Sequence, residues 1–197
     1  MIINSNIDNW IFSDECSIQL FRNFEKTWIR KGKNQRKTQS NLFRESIMVW
    51  GGISKFGKTK LWINIDRERI NKEKYCEIIE NYALPLITQN LPQESILLQD
   101  GATCHTARYT KEYLSELGIR IQQNPPHSPD MNPIEMIWSI IKRSVSLQNP
   151  RTRNQLITAA VASWDAIEIE TISKAINKLK SVLAPKVIES NGDWILK

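Results

Sequence analysis

The spacing of apolar residues changes near residue 70, from alternate positions to one helical face, and then returns to short apolar runs. Ahead of the change, NWIFS (9–13), SIQLFRNF (17–24), SIMVWGGI (46–53) and KLWINI (60–65) are β-branched and aromatic, with Leu61, Ile63 and Ile65 alternating. Gly51, Gly52 and Gly57 mark turns, so these segments are expected as antiparallel neighbours, the first strand stopping at Asp14 and Glu15. Over 71–90, Tyr75, Ile78, Ile79, Tyr82 and Leu86 fall on one helical face behind Asn71 as cap. SILLQ (95–99) then reads as a strand, residues 106–117 as a helix closed by Gly118, and GIRIQ (118–122) as a further strand. A strand–helix–strand order after a meander predicts an α/β fold, a mixed central β-sheet flanked by α-helices.

NPPHSPDMNP (124–133) is turn-forming throughout and predicts a rigid loop. Behind it, Asn132 is the expected cap, Pro133 the first helical residue, and Ile134, Ile137, Trp138, Ile141 and Val145 the buried stripe of a helix ended by Asn149 and Pro150. Helices over about 152–166 and 168–183 complete the chain, and Trp50, Trp62 and Trp138 are expected in the core. With 197 residues and no internal repeat, the chain is expected to form one domain. Its longest run without a charge, 81–93, has 13 residues and two prolines, too short to span a membrane. The first ten residues lack the basic and apolar regions of a secretory signal, and Cys16, Cys76 and Cys104 form no disulfide or zinc spacing, so a reducing intracellular compartment is expected.

The net charge of +6 is unevenly spread. Segment 22–44 holds eight basic residues (Arg22, Lys26, Arg30, Lys31, Lys33, Arg36, Lys37, Arg44) against Glu25, a local +7, so the remainder sums to −1. With Phe24 and Trp28 interleaved, such a segment suits a surface that follows phosphates. A solvated loop that keeps the protein soluble explains the charge as well.

Three acids stand at the ends of expected elements: Asp14, Asp100 and Glu135. Ligands gather beyond the carboxyl ends of parallel strands, and three carboxylates with little histidine or cysteine favour Mg²⁺ or Mn²⁺ over zinc. Two such ions about 4 Å apart serve phosphoryl transfer, activating the attacking hydroxyl and stabilising the leaving oxygen. Taken singly, Asp14 and Asp100 also suit turns, and Glu135 suits a capping box with Asn132. Glu15, next to Asp14 on the opposite strand face, is an alternative ligand.

The motifs FSDE (12–15), SIMVWGGIS (46–54), LLQDGATCHTA (97–107) and SPDMNPIEMIWSIIKR (128–143) resemble the catalytic domain of Tc/mariner transposases, Tc branch. The 34 residues between Asp100 and Glu135 match the spacing of that branch, and the resemblance runs from about Asp8 to about Val145. It implies an RNase H-like fold, a site of Asp14, Asp100 and Glu135 holding Mg²⁺ or Mn²⁺ as two ions, and cut-and-paste transposition of DNA into TA dinucleotides. Water and then a DNA hydroxyl would be the nucleophiles. Transposon ends and target DNA are the implied partners, in a homodimeric synaptic complex in the nucleus, with Arg30, Lys31, Lys33, Arg36, Lys37 and Trp28 as candidate DNA contacts. His105 is a candidate to orient a phosphate or a metal-bound water, or else a structural hydrogen-bond partner, and Asn132 is a candidate supporting residue. Two departures stand out. Gly101 occupies a position where the family commonly has asparagine, and no helix-turn-helix segment precedes the first catalytic strand. A non-catalytic DNA-binding or dimerisation module of transposase descent, or a general RNase H-like nuclease, is the alternative expectation.

Overall fold

The computed structural model describes residues 7–20, 45–92, 95–124 and 131–183. The central sheet is mixed. Its strands are β1 (Trp10–Gln19), β2 (Ser46–Ser54), β3 (Gly57–Lys58), β4 (Trp62–Ile63), β5 (Ile96–Gln99) and β6 (Arg120–Gln123), in the order β3-β2-β1-β5-β6 with β4 also on β2. β1 is antiparallel to β2, whereas β1, β5 and β6 run parallel.

Two strand expectations are corrected. The run 9–13 and the described part of the run 17–24 form one strand, β1 continuing through Asp14 and Glu15 to Gln19, because β2 pairs with it residue by residue from Phe12 to Gln19; residues 21–24 lie outside the described residues. Asp14 and Glu15 therefore lie within a strand rather than after one. KLWINI contributes only Trp62 and Ile63, with Ile65 turned to solvent and Arg67 in the left-handed region at φ 57°.

Strand alternation sends each face of the sheet to a different set of helices. Trp10, Phe12, Cys16 and Ile18 of β1, with Leu98 of β5, pack under α5 (Ile134–Gln148), α6 (Arg153–Asp165) and α7 (Ile169–Lys178). Ile11 and Leu97 face the other way, onto α1 (Lys72–Ile78) and the later helix that carries Leu114. Trp50, Trp62 and Trp138 are buried as expected. The 71–90 helix begins where Asn71 accepts a bond from the Lys74 N–H at 2.8 Å, but it is not uniform. α1 passes through a wider π turn over Ile79–Ala83 into α2 (Leu84–Asn90). Pro85 has no N–H to return to the preceding turn, which accounts for the widening there.

After β5 come the short α3 (Thr103–Thr106) and α4 (Arg108–Glu116), closed by Gly118 at φ +72°. The start of α5 differs from expectation. Its capping residue is Pro133, which makes no side-chain bond, Asn132 Oδ1 accepts only a long bond from the Ile134 N–H at 3.4 Å, and Glu135 closes no capping box. Asn132 is buried and turns its amide inward instead, donating to the Ser13 carbonyl at 3.1 Å. The predicted stripe of α5 is buried in full, and Asn149 ends it in the left-handed conformation before Pro150. α6 starts on a capping box of Thr152 and Gln155, and α7 ends in a π turn over Leu179–Leu183. No described helix is long and apolar enough to cross a membrane.

Candidate active site

Register brings two of the acids level. Phe12 of β1 lies beside Leu98 of β5, and two residues further along each chain stand Asp14 and Asp100. β5 ends at Gln99, so at this level β1 has lost its parallel neighbour and a cleft opens at the carboxyl edge. The even positions of β1 face α5, which puts Asp14, not Glu15, on the side of Glu135. Two buried bonds fix the approach: Ser13 Oγ donates to the Leu98 carbonyl at 2.8 Å, and the Asn132 bond holds the start of α5 against β1.

Electrostatics report the same crowding. Burial, together with the charges of Glu15, Glu135 and Asp100, pushes the Asp14 carboxyl up to about 7. The Cys16 thiol, two residues on, is also raised by burial, opposed by the Lys142 ammonium beside it. Lys142 lies two turns beyond Glu135 on α5 and puts a cation beside the acids on this face of the sheet.

Asp100 is held from the opposite side. His105 is buried at 2% exposure, with Nδ1 donating to Asp100 Oδ1 at 2.5 Å and Nε2 donating to Glu15 Oε1 at 3.2 Å. Burial alone would push the imidazolium down, but the bonds to the two carboxylates outweigh it and hold it up to about 10. His105 in turn holds the Asp100 carboxyl below its ordinary range, against burial. The ring lies tilted against Tyr75, centroids 4.0 Å apart, and the Tyr75 hydroxyl donates to Gln99 Oε1 at 2.8 Å, while Gln99 Nε2 donates to the His105 carbonyl at 3.1 Å. Gln99 and Tyr75 were not singled out for this site in the sequence. The signal was a polar residue at the last position of an otherwise apolar strand.

The structure thus sets Asp14, Asp100, Glu135, His105 and Asn132 around one edge of the sheet. Among the described residues, no three acid, histidine or cysteine side chains stand close enough about one point to hold a metal ion as placed, and Asp100 is turned onto His105. The donor chemistry nevertheless fits a hard divalent cation: burial and the neighbouring carboxylates push Asp14 up to about 7, and the nearby cation on its face is Lys142, while the His105 imidazolium is taken up by Asp100 and Glu15. At Gly101 a Cβ would meet nothing within 4 Å, so glycine here relieves no clash. The candidate DNA contacts Trp28, Arg30, Lys31, Lys33, Arg36 and Lys37 lie outside the described residues.

Comparison with known proteins matches residues 9–157 to the model of the DDE superfamily endonuclease family. The chain belongs to that family. It is 28% identical over 177 residues to the Tcb2 transposase of Caenorhabditis briggsae, covering 87% of this chain and 64% of the relative. To the Tc1 transposase of Caenorhabditis elegans it is 25% identical over 188 residues, covering 92% and 68%. A Mos1 mariner transposase paired-end complex with Mn superposes with a TM-score of 0.78 at 20% identity, over 98% of this chain and 58% of that one. The fold of this DDE endonuclease domain is accordingly RNase H-like, and the chain spans about two thirds of the length of the curated transposases it matches.

Proposed function

We propose that this DDE domain cleaves a DNA phosphodiester and transfers the freed 3′-hydroxyl to target DNA, the two chemical steps of cut-and-paste transposition. The observation that carries this reading is the carboxylate edge. Asp14 and Asp100 stand level on parallel neighbours, Glu135 is brought to the same face by the Asn132 bond, and burial together with the charges of Glu15, Glu135 and Asp100 lifts the Asp14 carboxyl to about 7. Asp14, Asp100 and Glu135 would hold Mg²⁺ or Mn²⁺, as two ions, and the paired-end relative with Mn supports this choice of metal. When bound, such cations supply Lewis-acid activation of the attacking oxygen and charge neutralisation at the leaving one.

The residues of the chain do the holding and orienting. The acids offer oxygen ligands, His105 fixes the direction of Asp100, and Lys142 adds positive charge beside Cys16 where a phosphate would approach. No side chain is required as a covalent nucleophile. Segment 22–44, with its local +7, supplies non-specific affinity for the DNA backbone. TA-containing target sites, pairing of two copies in a synaptic complex, and action in the nucleus belong to the same reading.

The test is strand transfer of a precleaved, labelled DNA end into plasmid. Joining that needs Mg²⁺ or Mn²⁺ and disappears in Asp14→Asn, Asp100→Asn and Glu135→Gln supports the assignment. Nicking without joining would make the domain a nuclease. DNA binding with neither activity, in a chain of native stability, would make it a binding module.

A further inference from the structure

We propose that Glu15 and His105 act as a positioning pair that aims the Asp100 carboxylate at the metal site, a role that rests on the function proposed above. Asp100 needs such a device. It stands just past the end of β5, its side chain is 54% exposed, and the next residue, Gly101, has no side chain to pack against it. Its Oδ1 is nevertheless claimed twice, by His105 Nδ1 at 2.5 Å and by the Ala102 N–H at 2.9 Å. Both donors fall on one oxygen, which leaves Oδ2 without a hydrogen bond among the described residues and available as a ligand.

The histidine is itself held at every polar atom, its backbone N–H donating to the Ala102 carbonyl at 3.0 Å. Its Nε2 reaches Glu15 on the neighbouring strand, its carbonyl takes the Gln99 amide, and its ring lies against Tyr75, whose hydroxyl locks Gln99. Glu15 Oε1, 90 positions away in sequence, fixes the ring from the far side, so the two carboxylates and the imidazole form one line across β1 and the β5–α3 turn. A histidine that merely stitched two strands would not need its second nitrogen on a mostly exposed carboxylate. The arrangement is that of a carboxylate ligand oriented by an outer partner, whose loss typically weakens metal affinity about 10- to 100-fold.

Two substitutions separate positioning from stitching. In His105→Asn the amide nitrogen replaces Nδ1 and can still donate to Asp100; in His105→Gln it replaces Nε2 and can reach only Glu15. Mn²⁺ dissociation constants, measured on the full chain by the electron paramagnetic resonance of free Mn²⁺, should stay within about 3-fold of the parent for His105→Asn and weaken by about 10-fold or more for His105→Gln. Melting in chelator serves as the stability control. Equal Mn²⁺ affinity in His105→Gln and the parent overturns the proposal, as does equal weakening in both variants alongside equal loss of melting temperature. Where a buried His105 variant fails to fold, Glu15→Ala takes its place at a side chain only 19% exposed but without a core role. It should weaken Mn²⁺ measurably while Glu15→Gln, which keeps the accepting oxygen, restores it; no effect of Glu15→Ala overturns the proposal. Asp14→Asn and Glu135→Gln distinguish the underlying reading. If neither lowers Mn²⁺ affinity, the metal site itself is misassigned and the positioning role falls with it; if both do, a null result at His105 counts against the pair alone.

Discussion

Replacing Asp14 by asparagine should stabilise the metal-free protein while abolishing its function. The carboxyl of Asp14 is raised from an ordinary value of 3.8 to about 7 by burial and by Glu15, Glu135 and Asp100. A folded-state value above the unfolded one means that the native state binds the proton more tightly, so ionisation of Asp14 works against folding. The penalty is absent below about pH 4, grows between pH 4 and 7, and is complete above pH 7. Each unit is worth 1.36 kcal/mol, which sets the full penalty at about 4 kcal/mol. Asparagine keeps the shape and removes the charge. In chelator, urea denaturation of the two proteins should give nearly equal stabilities at pH 4 and a variant more stable by about 2–4 kcal/mol at pH 8.

Saturating Mg²⁺ should close most or all of that gap. A cation that binds only the native state at 100 times its dissociation constant adds about 2.7 kcal/mol, and the variant should gain little of it. An Asp14→Asn protein that is no more stable than the parent at pH 8 would refute the reasoning, because it would mean that the acids at this edge do not feel one another. Stabilisation by Mg²⁺ of both proteins alike would refute the second half.

Glu135→Gln and Glu135→Ala should both keep stability within about 0.5 kcal/mol of the parent, since no capping box is formed, and both should lose strand transfer; a large loss of stability in Ala alone would restore a capping role. Gly51→Ala, opposite Asp14, should cost about 1–3 kcal/mol in urea denaturation, because its Cβ would lie 2.6 Å from Trp164 Cη2. Trp164 cannot retreat, being stacked on Trp138 at 5.3 Å and tied to the Thr59 carbonyl at 2.8 Å. Gly101→Asn should be tolerated with unchanged melting, as the site has room for the side chain. Neutralising Lys31, Lys33, Arg36 and Lys37 should flatten the dependence of DNA affinity on salt in a binding titration over salt concentrations. The log–log slope should fall by roughly 0.9 for each phosphate that the variant no longer neutralises.

Much of this architecture is legible in the chain because burial and periodicity agree. The stripe Ile134, Ile137, Trp138, Ile141, Val145 is apolar at helical spacing, and all five are buried. The sequence is less readable where a neighbour decides. Asp14 and Glu15 interrupt an apolar run and read as its end, yet they stay in β1 because β2 supplies hydrogen bonds from Phe12 to Gln19. Asn132 followed by Pro133 and Glu135 reads as a helix start of the capping-box kind, but the Ser13 carbonyl, 119 positions away, takes the amide. Local pattern cannot foresee a partner that distant.

The clearest instance is the pair of adjacent acids. Side chains on successive strand positions point to opposite faces, so Asp14 and Glu15 cannot both be ligands of one site on one side of the sheet. Strand periodicity gives no means of choosing, and in the sequence only the family resemblance favours Asp14. The packing of β1 does choose: Phe12 and Cys16 lie under α5, which carries Glu135, while Ile11 lies with Tyr75 on the other face. Asp14 inherits the first environment and Glu15 the second, where His105 meets it at 3.2 Å. One acid is then forced into company with Glu135, and that crowding holds it near neutrality until a cation arrives; the other is paired at once with an imidazolium and is spent on orientation. Exchanging the two, as Asp14→Glu with Glu15→Asp, keeps composition and net charge but shortens the side chain that must span to His105 and lengthens the one in the crowded cleft. The double variant should therefore fold and fail in strand transfer, and full activity in it would show that the division of labour between the two acids does not depend on their reach.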